Sequence, residues 1–331
     1  MLVKQRQADL VRDLIRRQRV RDALATRRAR PRLRLPRYGS GRPHPGDRAA
    51  LLAGLVAVTL WGSAFVAIRD AGTTLSPGSV ALGRLLVSLI VLGAVALLRR
   101  VPLPSGRDLL RIAAYGVLFL GVYSVTLNEA EVRVDAGTAA MFINTGPILI
   151  TIGAGIFLKE GFPRRLFAGC AVAFAGCVLI GLAGSLSGSS RGIALLAVAA
   201  CAYATAVVIQ KPVLERVPPL SVTWLGCAAA TLACLPFAPT LVRELGAAGP
   251  SAIGWTIYLG VGPTAVGFAT WAYALRHSTA GRLAALAYLI PVVAILLGWA
   301  LLGQTPPALA LAGGALCLTG VMLARRRSES L

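Results

Sequence analysis

Apolar stretches of about 17 to 24 residues alternate with short polar corners from residue 50 to residue 324, and each is long enough to cross about 30 Å of hydrocarbon as a helix. Ten such segments are expected, at 50–68, 79–98, 109–128, 137–158, 165–183, 192–210, 220–242, 251–274, 281–302 and 308–324. The corners carry the Pro, Gly and charged residues that end helices. The pattern predicts an all-α polytopic membrane protein.

The pattern also repeats. Ala136, Gly137, Pro147, Gly169 and Gly176 recur as Ala280, Gly281, Pro291, Gly313 and Gly320, each displaced by 144 positions (291 − 147 = 144). Pairing 115–180 with 259–324 gives about 15 identities in roughly 66 positions, where this composition gives about a tenth by chance. Trp61, Arg69 and Pro77 align with Tyr203, Lys211 and Pro219 at the slightly shorter offset of 142 (203 − 61 = 142). Each copy therefore holds five helices, and an odd number turns the second copy upside down in the bilayer. The expected organisation is a basic tail over 1–48, one repeat over 49–184, an inverted repeat over 191–325 and a short C-terminal tail over 326–331. Two inverted copies offer two interchangeable asymmetric states, one open to each side, which is the geometry of alternating access.

Composition supports lipid as the solvent: 56% of residues are hydrophobic and 14% charged, too little polar surface for a soluble globule of 331 residues. The net charge of +21 is not a nucleic-acid signature, because of where it sits. Residues 1–48 hold 15 Lys/Arg against 4 Asp, or +11 (15 − 4). The remaining basic residues lie mainly in alternate corners. One set contains Arg99, Arg100, Arg107, Arg111, Lys159, Arg164, Arg165, Lys211, Arg216, Arg276, Arg282, Arg325, Arg326 and Arg327, the other only Arg69, Arg133, Arg191 and Arg243. Fourteen against four predicts both termini in the cytoplasm and a multi-pass protein of the cell (inner) membrane. The first thirty residues are dense in Arg and lack an apolar core, so the first apolar helix is expected to be an uncleaved insertion signal. The tail places Val3, Leu10, Leu14 and Ile15 against a cationic surface, which suits attachment to anionic lipid, while a disordered extension or a start site assigned too early is the plainer reading.

Candidate chemistry is sparse. The six cysteines, Cys170, Cys177, Cys201, Cys227, Cys234 and Cys317, fall inside apolar runs without a CxxC pair and read as small hydrophobes. With two histidines, His44 and His277, neither a metal site, a cofactor nor nucleophile chemistry is expected. The string Gly260-Val261-Gly262-Pro263-Thr264-Ala265 mimics a nucleotide-binding loop, but it lies within an apolar helix and follows no strand. Pro147 and Pro291 fall mid-helix, where proline frees the carbonyls of Ile143 and Ala287 and marks a break or gate. Beside them stand Asn144 and Tyr288, mates in the repeat and a candidate solute-reading pair, or simply helix–helix hydrogen bonds. Trp61, Phe65, Tyr123, Asn128, Tyr203, Phe268 and Trp271 offer stacking surface and a few hydrogen bonds to a cavity, though each alone reads equally as packing or interface belt. Arg84 is the basic residue well inside an apolar run, suited to an anionic solute or to gating. Glu129 and Glu131 are its candidate partners, and Glu129 is also the candidate coupling carboxylate; solvated loop charge is the plainer reading of both. Glu160 reads as loop structure or interhelical pairing. Gly169, Ala173 and Gly176 form a small-residue stripe, repeated as Gly313, Cys317 and Gly320, which suits scaffolding or a homodimer contact.

Together these residues resemble the drug/metabolite transporter superfamily, specifically its EamA-type ten-helix members. The resemblance rests on Trp61-Gly62, on Pro77 and Arg84, on Ala136-Gly137 through Pro147 to Glu160, and on Ala280-Gly281 through Pro291 to Gly313 and Gly320. It covers roughly residues 51–325. It implies ten helices around a central cavity, and export of a small metabolite, amino acid or drug-like solute, with Trp61, Arg84, Asn144 and Tyr288 as positions to test. Uptake or lipid translocation on the same fold is the alternative, and a non-transporting scaffold or regulatory protein the alternative of another class. An intramembrane enzyme fits less well, because His and paired carboxylates are nearly absent. One departure is Gln304, which stands opposite Glu160 where the family often has Glu in both halves.

Overall fold

In hydrocarbon every backbone N–H and C=O must find a partner within the protein, and a helix satisfies them locally. The computed structural model describes residues 45–104, 106–134, 139, 142–183, 189–302 and 306–325, with 45–47, 65, 66, 69, 298, 301 and 302 described by backbone alone, and these residues are overwhelmingly helical. The tail through residue 44, the Ala136-Gly137 pair, Gln304 and the side chains of Phe65 and Arg69 lie outside the described residues. Successive helices are α1 (Pro45–Ala71), α2 (Pro77–Leu98), α3 (Gly106–Glu131), α4 (Gly146–Phe157), α5 (Arg164–Leu182), α6 (Ser190–Leu214), α7 (Pro219–Leu245), α8 (Pro250–Arg276), α9 in three pieces (Ala280–Ala284, Ala285–Leu289, Ile290–Leu302) and α10 (Ala308–Arg325). Among the described residues, 8 helices are long and apolar enough to cross a membrane. Gly146–Phe157, where the fourth span was expected, is a shorter apolar helix, and the 27 residues of α1 contain an apolar stretch over Arg48–Ala64. Outward faces are apolar: Ile90, Phe157, Leu232 and Met322 are exposed, as lipid-facing positions require.

Hydrogen bonds at the corners sort the helix ends into two groups. At one end, Lys211 reaches the carbonyls of Leu275 and Ser278, Arg216 pairs with Asp108 at 2.6 Å, and Ser221 reaches the Pro102 carbonyl. At the other, the Glu244 carboxylate accepts from the Ser76 N–H at 2.9 Å and Ser251 donates to Asp70. We call these the Lys211 end and the Glu244 end. Helix starts at Pro77, Pro219 and Pro250 each follow an extended residue, where the fixed φ of proline suits the first turn.

Two features depart from the expected regular helices. The prolines of the fourth and ninth segments do not sit inside a kinked helix. Asn144 and Thr145 form a turn and Pro147 enters the first turn of α4, while α9 changes to a 3-10 stretch over Ala285–Leu289 before Pro291. The carbonyl of Ala287, freed by Pro291, is taken up by the Ile290 N–H. The second departure is a π-helical turn in α3 (Gly116–Val122) and another in α8 (Gly260–Val266), 144 residues apart (260 − 116 = 144). Each begins at a glycine pressed onto another helix. A Cβ on Gly116 would overlap the Gly226 carbonyl of α7, and one on Gly260 would lie 2.5 Å from Val87 Cβ and 2.9 Å from the Arg84 carbonyl of α2. Residues 84 and 226 are themselves repeat mates (226 − 84 = 142), so the two approaches are copies of one contact.

The small-residue stripes of α5 and α10 meet each other within the chain. Gly169 packs on Gly320 and Ala324, and Gly176 on Gly313 and Cys317, so the two helices cross antiparallel. The thiols of Cys177 and Cys317 approach to 3.6 Å at the crossing. Cys201 is exposed, and the other five cysteines are buried.

A Cβ on Gly176 would sit 2.5 Å from the Gly313 carbonyl, so Gly176→Leu must push two backbones apart. The expected result is a thermal midpoint in detergent several degrees below wild type, whereas Gly249→Ala, with open space around its Cβ, leaves it unchanged. Equal midpoints for Gly176→Leu and wild type would show that the crossing does not hold the halves together.

Candidate functional site

Where α1, α3, α6 and α8 meet, five aromatic rings converge on Phe119. Its centroid lies 4.8 Å from both Tyr203 and Phe268, 5.5 Å from Tyr123, and 6.1 Å from both Trp61 and Tyr115. Trp61 adds contacts to Phe268 at 5.1 Å and Trp271 at 4.9 Å. Tilted and edge-on pairs of this kind are attractive beyond their buried area. Glycines make the room: a Cβ on Gly146 would lie 2.6 Å from the Tyr203 ring, and one on Gly267 3.0 Å from the Trp61 Nε1.

The π-helical turn of α8 anchors the cluster. Widening that turn frees carbonyls from the regular ladder. The Trp61 Nε1 donates to the Pro263 carbonyl at 3.1 Å, and the Thr264 hydroxyl donates back to Leu259, five residues earlier, at 2.7 Å. The same hydroxyl accepts from Arg84 Nε at 2.8 Å. Arg84 is 8% exposed, and Tyr123, Cys227 and Glu131 lie within its electrostatic reach. Nε is one donor of the guanidinium, whose other donors are carried on the two Nη atoms. The site is an apolar, aromatic wall with one buried cation at its edge.

Of the residues singled out in the sequence, Trp61, Tyr123, Tyr203, Phe268 and Trp271 come together here, with Arg84 alongside. Others do not. Asn128 donates to the Pro77 carbonyl and ties α3 to the start of α2. Glu129 pairs with Arg133 at 2.6 Å near the Glu244 end. Asn144 is buried in the turn before α4, and Tyr288 is fully buried with Cys170, Cys177, Cys317 and the site ring Tyr203 within its electrostatic reach, so it borders both the α5–α10 crossing and the aromatic cluster. The Phe65 side chain lies outside the described residues. The sequence reading missed Phe119, which looks like any core phenylalanine. Its signal was positional, since its repeat mate is Pro263 (263 − 119 = 144), the residue whose carbonyl holds Trp61.

At the Lys211 end two charged contacts, here called latches, meet on one corner. Glu160 accepts from the N–H groups of Ala280 at 2.8 Å and Gly281 at 3.3 Å, a carboxylate on the N-terminus of α9. Lys211 donates to the carbonyls of Leu275 at 2.6 Å and Ser278 at 2.7 Å, at the C-terminal end of α8. Each charge thus complements the helix end it touches. The expectation of interhelical pairing for Glu160 matches this contact. Among the described residues no group of His, Cys, Asp and Glu could hold a metal ion.

A family model described as "EamA-like transporter family" matches residues 48–182 and 190–326. A protein named "Probable terminal-alkyne amino-acid exporter", from Streptantibioticus cattleyicolor, is 36% identical over 84% of this chain and 94% of its own length. The "Uncharacterized inner membrane transporter YedA" of Escherichia coli is 30% identical over 74% of this chain and 80% of its own. A "Probable amino-acid metabolite efflux pump" of Salmonella typhimurium is 26% identical over 81% of this chain and 92% of its own. A solved crystal structure at 23% identity has the same fold, with a TM-score of 0.70 over 86% of this chain and 99% of that one.

Phe119→Ala removes the ring that five others touch and leaves a cavity, which costs about 3 kcal/mol in a close-packed core. The expected result is a lowered thermal midpoint in detergent, with Phe119→Leu intermediate. A Phe119→Ala midpoint equal to wild type would mean that the rings do not depend on one another.

Proposed function

The chain belongs to the EamA-like transporter family, and from that premise we propose that it is a secondary transporter exporting a small amino acid or amino-acid-like metabolite by alternating access. The family and the relatives named as inner membrane transporters make it a membrane transporter. What supports an amino-acid-like solute is the neighbourhood of Arg84. A carboxylate accepting from its Nη groups would form a charge-assisted pair, and the aromatic wall beside it suits an apolar side chain. Two relatives whose names specify amino-acid export agree with that chemistry. Solute uptake on the same scaffold is the second reading, and the names of these relatives favour export over it.

In this reading the protein has ten spans in two inverted five-helix repeats, over 49–184 and 191–325, with the tails over 1–48 and 326–331 in the cytoplasm. The supporting observations are the 144-residue recurrence of the π-helical turns, the antiparallel α5–α10 crossing, and the gathering of Arg99, Arg100, Lys159, Arg216 and Arg276 at the corners of the Lys211 end. That end is then cytoplasmic, and the Glu160 and Lys211 latches keep it shut in the conformation seen. The chain carries no nucleotide-binding motif, so a proton or solute gradient is the proposed driving force. Anionic lipid is the proposed partner of the basic tail.

Two measurements test this reading. In proteoliposomes, purified protein is expected to move free amino acids faster than their amides, and Arg84→Met to lose at least about tenfold of the free-acid rate, equivalent to about 1.4 kcal/mol, while keeping a wild-type elution profile. Folded wild-type protein that moves none of them, or an Arg84→Met rate equal to wild type, overturns it. Separately, Lys211→Met combined with Glu160→Gln removes both latches, and a cysteine-reactive probe added from the cytoplasmic side should label a cysteine placed at Ser88 severalfold faster than in the latched protein. Unchanged labelling would show that the two contacts do not hold this end closed.

A further inference from the structure

Phe119 lies at the middle of a layer, and the polar groups on its two sides differ. On α3, Tyr123 stands one turn towards the Glu244 end and Tyr115 one turn towards the Lys211 end. On α8, Thr264 precedes Phe268 on the Glu244 side, and Trp271 follows it on the Lys211 side. Gln210 lies seven residues beyond Tyr203 on α6, about 10 Å further towards the Lys211 end. The Arg84–Thr264 pair therefore belongs to one side of the aromatic layer, and Tyr115, Gln210 and Trp271 belong to the other.

The groups on the Lys211 side are buried and unsatisfied. Gln210 and Tyr115 are each 0% exposed, and both polar atoms of the Gln210 amide and the Tyr115 hydroxyl lack a hydrogen-bond partner among the described residues. The Tyr115 hydroxyl and the Gln210 amide are polar neighbours of one another. The Tyr115 ring is fixed from behind by α7, where a Cβ on Gly226 would lie 2.8 Å from it. A buried donor or acceptor left unpaired costs about 1 to 3 kcal/mol, so a glutamine amide unpaired at both atoms is an expensive choice where leucine or methionine would pack. Nothing in the α5–α10 crossing or the two latches uses it.

We infer that Gln210, with Tyr115, is a second solute-binding station on the Lys211 side of the aromatic layer, receiving a neutral group that both donates and accepts hydrogen bonds, such as a hydroxyl or carboxamide. An amide supplies one acceptor and two donors, and a phenol supplies either, so together they match such a group and offer nothing extra to an aliphatic one. The station rests on the amino-acid reading above: the solute meets Arg84 on the Glu244 side of the layer and Gln210 after it has passed to the Lys211 side. It sets specificity in the direction that favours strong discrimination, because a site built to hydrogen-bond a hydroxyl is left with unpaired groups by the analogue that lacks it.

L-threonine and L-valine are the probes, since they differ by hydroxyl against methyl at nearly equal volume. In proteoliposome counterflow, wild-type protein is expected to move threonine at least about tenfold faster than valine, and Gln210→Met to bring that ratio to one or below by slowing threonine. Because the amide has no partner to lose, the thermal midpoint of Gln210→Met without solute is expected to equal or exceed that of wild type. A wild-type threonine-to-valine ratio in Gln210→Met overturns the station while leaving the amino-acid reading in place. A midpoint several degrees below wild type also overturns it, by showing that the amide is part of the scaffold. Wild-type protein that moves neither amino acid overturns the reading at Arg84 and the station with it.

Discussion

The structure depends on helix backbones touching at glycine. Lipid tails are as apolar as leucine, so helices in a membrane gain little from the hydrophobic effect between themselves and are held by close packing and hydrogen bonds. Here the closest approaches are Gly116 on Gly226, Gly260 on the Arg84 carbonyl, and the double contact of Gly169 and Gly176 with Gly320 and Gly313. The first two coincide with the π-helical turns of α3 and α8. A π turn widens the helix, and the wider turn of α8 offers the Pro263 carbonyl to Trp61 and lets Thr264 bond five residues back while receiving Arg84. The aromatic cluster and the buried cation both descend from that contact.

Much of the scaffold was legible because the chain states it twice. A Pro and Gly framework at a fixed spacing survives divergence, since each glycine answers a backbone that leaves no room for a Cβ. Arg84 was visible for the opposite reason, as a charge where an apolar run should continue. The π turns were not legible, because no residue type demands one. They arise from where another helix presses, which is a property of the assembled bundle. Phe119 and Gln210 were missed for a related reason: one phenylalanine among aliphatics reads as packing, and one glutamine near a helix end reads as a surface residue until the fold buries it completely. Asn144 and Tyr288 are mates in sequence with different surroundings: Asn144 lies in the turn before α4, and Tyr288 lies in a 3-10 stretch within reach of Tyr203 and of the cysteines at the α5–α10 crossing.

The copies keep geometry and vary chemistry. Trp61 and Tyr203 are mates; Trp61 meets the Pro263 carbonyl, and Tyr203 meets the ring of Phe119, the mate of Pro263. One contact is polar and the other aromatic, on the same frame. The frame can be common because it is made of backbone approaches that tolerate no side chain, whereas the rings and polar groups projecting from it are free to diverge. Arg84 against Gly226 is the extreme case: at mated positions one copy carries the buried cation and the other carries the glycine that receives α3.

That divergence bears on the two states of the proposed cycle. A pair of identical halves would give them the same energy, whereas the gradients alone set the net direction. In the proposed cycle the solute meets a cation with one polar surrounding near the Glu244 end and a neutral amide and phenol near the Lys211 end, while Glu160 and Lys211 add their helix-end contacts at the Lys211 end. The two states are therefore unequal in energy by however much the latches contribute, and a solute can shift their balance only by binding one of them better than the other. Opening the Lys211 end breaks the contacts to the Ala280 and Gly281 N–H groups and to the Leu275 and Ser278 carbonyls, and a solute that satisfies Gln210 and Tyr115 there offsets part of that loss. An empty site has nothing to offset it, so the unpaired amide and the latches act together to make opening at that end depend on the solute.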